Sequence, residues 1–448
     1  MKKTVIILVA VFSAFGMSAQ IQSTYFLDNY TYSYRHNPAN MTDRNFVGAL
    51  FSNIEAGAGG NVGLANFLYP APSGNGLVTG LNSSVSSEEF LSGILDRNSF
   101  LANFNMNILS LGFRAENSMT TVEINARAFA DCSISGDLFR FLKEGDQNRA
   151  YDLSATEVGV KSWIELAIGR SRRISETLSF GYRVKGMMGV AGLRADLEGT
   201  QASLSDSQVA LRLKGDAGIA GSLLQFSTDA GGKVDGVGRG SGFGPAGFGA
   251  AVDAGVNWEP FEGLTLSASV ADLGLVSWKY SSLAEGDNSV NYSGVDLSGE
   301  NAKLGDEFDK AMEDVKDLAD FRLKSGSESS SEMLPFRINV AARYQIPSVE
   351  SLSAGVLFTY QNSAVPAADA RAAVTYTPRD WFSLTGNAGG SSFGFVWGGA
   401  ISLNAPFLNF FFGLDAFACQ MSSEFIPLNK FICRLNLGLV FRFGELFD

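Results

Sequence analysis

The chain contains one histidine, His36, and three cysteines, Cys132, Cys419 and Cys433. A His-dependent hydrolase or a barrel phospholipase needs its imidazole as a general base facing substrate from a barrel strand. His36 instead stands in RHNPAN, a setting that fits a turn residue. A zinc site needs several nitrogen or sulfur ligands at short spacing, and one histidine with three scattered cysteines supplies none. Gly242, Gly244 and Gly247 match G-x-G-x-x-G by chance, in a Gly-rich loop of a chain read below as exported, away from dinucleotides. The inventory therefore gives no catalytic residue, no cofactor and no metal, and the expectation is a non-enzyme. Cys419 and Cys433 flank the last outer loop and either pair or remain thiols. Odd positions face inward in the strand ending at Ala418 but outward in the strand holding Leu435, which argues against pairing unless a bulge intervenes.

Charge recurs where strands would carry it. The chain ends RLNLGLVFRFGELFD, with Leu435, Leu437, Leu439, Phe441 and Phe443 on one face of an extended strand and Asn436, Gly438, Val440 and Arg442 on the other. The same period of two runs through Val122–Ala128, Leu178–Lys185, Leu264–Ala271 and Arg337–Tyr344, and more weakly through eight further segments. Most are about ten residues long, the length a tilted strand needs to cross a bilayer. Connections are lopsided: AENSM, SRRISET, EPFEG, IPSVES, TPRD and NAP are tight, whereas 57–104, 131–157, 191–246 and 274–335 are long excursions. Short periplasmic turns and long outer loops characterise outer-membrane barrels.

Counting residues 46–56 as the first crossing gives fourteen strands, an even number with every tight turn on one side; sixteen is the alternative. Val209–Lys214 would make the count odd and is assigned to an outer hairpin. The expected fold is thus all-β: a single transmembrane antiparallel β-barrel of about 14 strands, with long outer loops carrying short helices. Its polar face predicts a lumen lined by Arg114, Glu123, Arg127, Glu165, Arg183, Lys185, Asp253, Arg337, Arg343, Arg371, Asp415 and Arg442. Such mixed charge serves either a salt-bridged network supporting a plug, the reading preferred here, or a conduit selecting anionic head groups.

The first twenty residues, MKKTVIILVAVFSAFGMSAQ, read as a secretory signal peptide over 1–19, with two lysines, a short apolar run and small residues before Gln20. Losing Lys2 and Lys3 lowers the 34 bases by two against 46 acids and moves the formal charge from -12 to -14. Nucleic acid is a poor partner for so acidic a chain. Fifty glycines (50), 35 phenylalanines and only 18% charged residues lean towards a membrane barrel.

Three resemblances sharpen this. Asn436, Gly438, Phe441 and Phe443 resemble the closing-strand signal read by the outer-membrane barrel assembly machinery, which implies that machinery as a partner during insertion. Asn37, Pro38 and Ala39 resemble the Asn-Pro-Ala motif before the first strand of fatty-acid-transporter-like barrels. That resemblance implies fourteen strands and a hatch over residues 20–44 folded into the lumen, with the barrel occupying 45–448. NILSLGFR, GDLFRFLKEGDQN, ELAIGRSRRISETLSFGYRVKGMMG and GAAVDAGVNWEPFEGLTLSASVADLG resemble a Bacteroidetes family of outer-membrane β-barrels of unknown function within that superfamily. It implies residence in the outer membrane of a Gram-negative bacterium, in contact with its lipid.

The outer loops add a strongly acidic stretch, 281–335, with 13 acids and 5 bases, and no calcium-loop spacing. Leu304, Phe308, Ala311, Val315 and Leu318 recur at helical spacing there; EEFLSGILDRNSFLANF and Leu138–Leu142 also read as helical, framing a greasy vestibule. Two functions follow as expectations. The first is a channel for hydrophobic small molecules; the alternative is a surface docking or accessory protein in secretion or envelope assembly, with a type IX-like secretion-system protein as partner. A soluble periplasmic β-protein is a distant third.

Overall fold

The computed structural model describes residues 22–63, 66–72, 76–144, 149–205, 208–292, 320–362, 367–392, 394–417 and 430–444. Fourteen antiparallel strands close on themselves. They are β1 (Asn45–Ala49 and Ile54–Gly60), β2 (Arg97–Ala115), β3 (Ser118–Ser135), β4 (Glu157–Arg173), β5 (Leu178–Asp196), β6 (Gly247–Phe261) and β7 (Leu264–Tyr292). They continue with β8 (Arg337–Gln345), β9 (Leu352–Gln361), β10 (Ala367–Arg379), β11 (Phe382–Ser391), β12 (Gly394–Ala405), β13 (Leu408–Phe417) and β14 (Phe431–Phe443). Each strand pairs with its chain neighbour, and β14 closes the ring on β1 through Asn45↔Phe443 and Ile54↔Leu437. Closure removes every edge, as a bilayer requires of a sheet.

Alternation sets which side meets lipid. On β6 the outward Trp258 and Phe248 are half or more exposed and lie ten residues apart. That is about 33 Å along a strand and roughly 25 Å along the axis at a tilt of about 40°, the height of an apolar band between two aromatic belts. Phe180, Phe261, Tyr344, Tyr376, Trp381 and Phe441 belong to the belt near the tight turns. No described helix is long and apolar enough to cross a membrane.

The rim is uneven. β2–β5 hold 17 to 19 residues and β7 holds 29, whereas β8–β14 hold 9 to 13. One wall therefore rises far beyond the band. Its upper part is extended by the hairpin Gln201–Ser205 and Gln208–Ala220, the latter pairing with β7 from Ala220↔Tyr280 to Val209↔Tyr292. Residues 209–214 thus sit in an outer hairpin.

Several expected boundaries are corrected. The first crossing is broken at residues 50–53. The long excursions shrink because the strands overshoot the band; β2, for example, begins at Arg97 where a loop to 104 was expected. Within EEFLSGILDRNSFLANF only the start is helical, as part of Ser87–Ser92 (α1), capped by Ser86; from Arg97 the chain runs into β2, where Phe100 stands opposite Cys132 and Phe104 opposite Ala128. The second helix, α2, covers Gly136–Glu144. Phe90 of α1 and Phe139 of α2 meet at 6.2 Å. The apolar side chains here pack mainly on one another. Residues 1–19, read as a signal peptide, the stretch 304–318 with its expected helix, and Cys419 lie outside the described residues.

Candidate functional site

Residues 22–44 thread the lumen, beginning with two short 3-10 turns, Gln22–Thr24 and Ser33–Arg35. Tyr30, Tyr32, Tyr34, Arg35, His36 and Asn37 are all buried. The three tyrosine rings pack on one another and on two inward phenylalanines, Phe46 and Phe411; Tyr30 meets Phe411 edge to face at 4.9 Å, and Tyr34 stacks on Phe46. Burial pushes the Tyr32 phenol up to about 12, and its hydroxyl bonds Ser52 Oγ at 2.9 Å and Ser110 Oγ at 2.7 Å.

The segment is held by a chain of alternating charge. Arg35 reaches Glu55 at 3.4 Å and Glu123 at 2.7 Å; Arg183 links Glu123 to Asp253. Lys185 links Asp253 at 2.8 Å to Asp272 at 2.6 Å, and Arg127 links Asp272 at 2.9 Å to Glu165 at 2.8 Å. Tyr34 also donates to Glu123 at 2.8 Å. Five acids and four bases thus form one connected path, in which each interior charge has neighbours of opposite sign. Arg337 is buried beside this path, with no carboxylate within 4 Å among the described residues.

A second cluster grips the start of the segment. Asp415 accepts from the backbone N–H of Gln22 at 2.7 Å and of Ser23 at 3.2 Å, and pairs with Arg371 at 3.0 Å. Arg434 donates to Gln22 Oε1 at 2.6 Å and sits 3.5 Å from Asp369. At the turn end, Asp28 pairs with Arg343 at 2.7 Å, Asp43 with Arg442, and Arg114 borders the space below the segment. All twelve charged positions expected in the lumen lie on the inner face. Arg35, Glu55, Asp272, Asp369 and Arg434, none of them among those twelve, complete these clusters.

The Asn-Pro-Ala turn has its own seat. Asn37 Nδ2 donates to Asn257 Oδ1 at 2.7 Å and Val256 O at 3.2 Å, while its Oδ1 accepts from the Ala39 N–H at 2.9 Å. A Cβ at Gly181 would overlap the Pro38 carbonyl, and one at Gly255 would overlap the Asn37 side chain. The wall is glycine where the turn touches it. The His36 ring meets Thr24 Oγ1 at 2.7 Å, and its carbonyl accepts from Ser269 at 2.7 Å and Asn339 at 3.0 Å. Burial, then the charges of Arg337 and Arg35, hold the imidazole down at about 3.

The match to a protein family is then decisive. The chain belongs to a family of unknown function, DUF5723. The family's model covers residues 38–415, from the Asn-Pro-Ala turn to Asp415. Among solved structures, the toluene transporter TodX of Pseudomonas putida is 8% identical, aligned over 96% of this chain and 98% of its own, with a TM-score of 0.45. The toluene transporter TbuX of Ralstonia pickettii is 8% identical over 92% of each chain, with a TM-score of 0.43. A FadL homologue of Pseudomonas aeruginosa is 11% identical over 96% and 99%, with a TM-score of 0.41. No curated protein matches the chain.

Between hatch and rim lies a cavity of about 50 Å³, bordered by Arg35, Glu55, Arg127, Trp163, Arg337 and Gln361. It has room for a few waters, well short of the roughly 300–1,000 Å³ of small-molecule pockets. The wall offers a different feature. From Val47 to Ile54, β1 advances seven positions while β14 advances four, from Phe441 to Leu437. Leu50 and Phe51 are thrown outward, 64% and 58% exposed, and Phe51 adopts φ 68°, a conformation bulky residues avoid. Ser52 turns inward to Tyr32 and to Asn107 Oδ1 at 2.7 Å, while the Asn107 N–H donates to the Asn53 carbonyl at 2.8 Å. Gly438 and Asn436 of β14 face this break: Asn436 Nδ2 donates to Asn53 Oδ1 at 2.6 Å, and a Cβ at Gly438 would overlap the Ser52 carbonyl. Phe441 points to lipid, and Phe443 pairs with Asn45.

Proposed function

We propose that this chain is an outer-membrane passage for small hydrophobic molecules, and that they cross the barrel wall at the break in β1. The observation that carries the reading is the break itself. Three extra residues relax the ladder at the seam, Leu50 and Phe51 form an apolar lip towards lipid, and the inner side is sealed by Ser52 against Tyr32 of the hatch. A shift of the hatch would therefore release the seal and the wall together. Along the axis, the charged chain from Glu55 to Glu165 and the small polar cavity oppose an apolar solute, since burying it there would strip hydrogen bonds from charged groups. An outer-membrane location is supported by the two aromatic belts and the closed ring. The role is that of a carrier without chemistry of its own.

A second reading, a surface docking protein in secretion or envelope assembly, is favoured by one observation: the tall wall of β2–β5 and β7 stands above the band beside a lumen filled by the hatch. Native purification in mild detergent, with mass spectrometry of co-purifying lipophiles and proteins, separates the two. A bound lipophile without a protein partner supports passage. A stoichiometric protein with an empty barrel would overturn it in favour of docking.

A further inference from the structure

Beside the belt near the tight turns, the outward face of β4 carries two charges. On β4 the inward positions are Trp163, Glu165, Ala167, Gly169 and Ser171, so Arg170 and Arg172 point outward together with Ile164, Leu166 and Ile168. Further from the tight turns the outward positions are apolar: Val184, opposite Ile168, and Val252, opposite Val184. Arg170 stands opposite Thr120 of β3 and Tyr182 of β5; Arg172 stands opposite Ser118 and Phe180. Arg170 Nη1 donates to Thr120 Oγ1 at 3.1 Å and Nη2 to Ser118 Oγ at 3.3 Å, which leans the guanidinium towards the tight-turn end. No carboxylate lies within 4 Å of either arginine among the described residues.

An arginine on the lipid face is costly at the midplane and tolerated near an interface, where its head reaches polar groups. Arg170 does reach that way, but its hydroxyl partners are neutral and leave both charges uncompensated. The turn end of a barrel faces the periplasm, and the groups present at that interface are lipid phosphates. A guanidinium matches a phosphate with paired hydrogen bonds. Phe180 and Tyr182, both over two-fifths exposed, lie alongside on β5, where interfacial rings flank head groups.

We infer that Arg170 and Arg172 clamp the phosphate of one glycerophospholipid of the periplasmic leaflet, with the Ser118 and Thr120 hydroxyls holding Arg170 in place and the acyl chains lying beside Phe180 and Tyr182. The site rests on the membrane reading but not on what the barrel transports. The test is native mass spectrometry of the full chain in mild detergent, titrated with phosphatidylglycerol. The wild type retains one lipid through detergent exchange; Arg170→Gln with Arg172→Gln weakens retention about tenfold. The paired lysine variant, which keeps both charges but not the paired hydrogen bonds, falls between the two. Equal retention by wild type and the glutamine pair, both showing the heat-dependent gel mobility of a folded barrel, would overturn the site. A chain that stays monodisperse without detergent would overturn the membrane reading itself, and the site with it.

Discussion

At the scale of residues, the lumen is an electrostatic assembly whose members depend on one another. Glu123 holds two cations, Arg35 of the hatch and Arg183 of the wall, so Glu123→Gln leaves both buried without a full counter-charge. The expected cost is about 3–5 kcal/mol of barrel stability, read from heat-dependent unfolding in detergent; a loss below about 1 kcal/mol would contradict the network. His36 gives a signed pH effect. Its folded value is about 3 and its unfolded value about 6.5, so the folded state stays neutral while the unfolded state takes up a proton. Stability from this group is complete above about pH 7 and falls as pH drops from there towards 3. The difference between wild type and His36→Gln should therefore change with pH over that window and be flat above it. A constant offset from pH 4 to 8 would exclude the buried neutral imidazole.

At the scale of elements, period-two alternation made most of the barrel legible and also explains what it hid. Every inward charge in a regular strand follows parity: Asp369 opens the run 369–377 on the same face as Arg371, and Arg434 shares the face of Asn436 in the stretch that ends the chain. Asp272 does not follow it: a bulge between Val252 and Ala254 pairs these with Leu273 and Val270, and Asp272, at φ 63°, swings inward to bridge Arg127 and Lys185. Glu55 was hidden likewise, because the three extra residues of β1 reverse the parity that Phe46 and Gly48 establish. Irregularities are tertiary, and no local pattern announces them. Arg35 was hidden because a hatch without regular structure has no period to read. Its seat supplies a test: Gly181→Val or Gly255→Val should expel the Asn-Pro-Ala turn and expose Arg35 to trypsin from the turn side, where wild type resists. A hatch equally protected in these variants would contradict the seating.

At the scale of the whole molecule, the lopsided loops read from the sequence correspond to a barrel with one high and one low wall, and the sidedness can be measured. A cysteine placed at Asp287, on the upper part of β7, should react with an impermeant maleimide on intact cells, and one at Glu262, in a tight turn, only after the envelope is opened. Reaction of both on intact cells would reverse or abolish the assigned orientation. The central claim is that hydrophobic molecules pass at the β1 break. It is most directly tested by uptake of labelled toluene and oleate by cells lacking the chain, carrying it, or carrying Gly48→Leu, whose side chain would drive into Ser52, Ser110 and Tyr32 at the seal. The account predicts uptake restored by the wild type for at least one of the two probes and raised further in Gly48→Leu inserted at equal level, because the seal is forced apart. Uptake indifferent to the chain for both probes would contradict it.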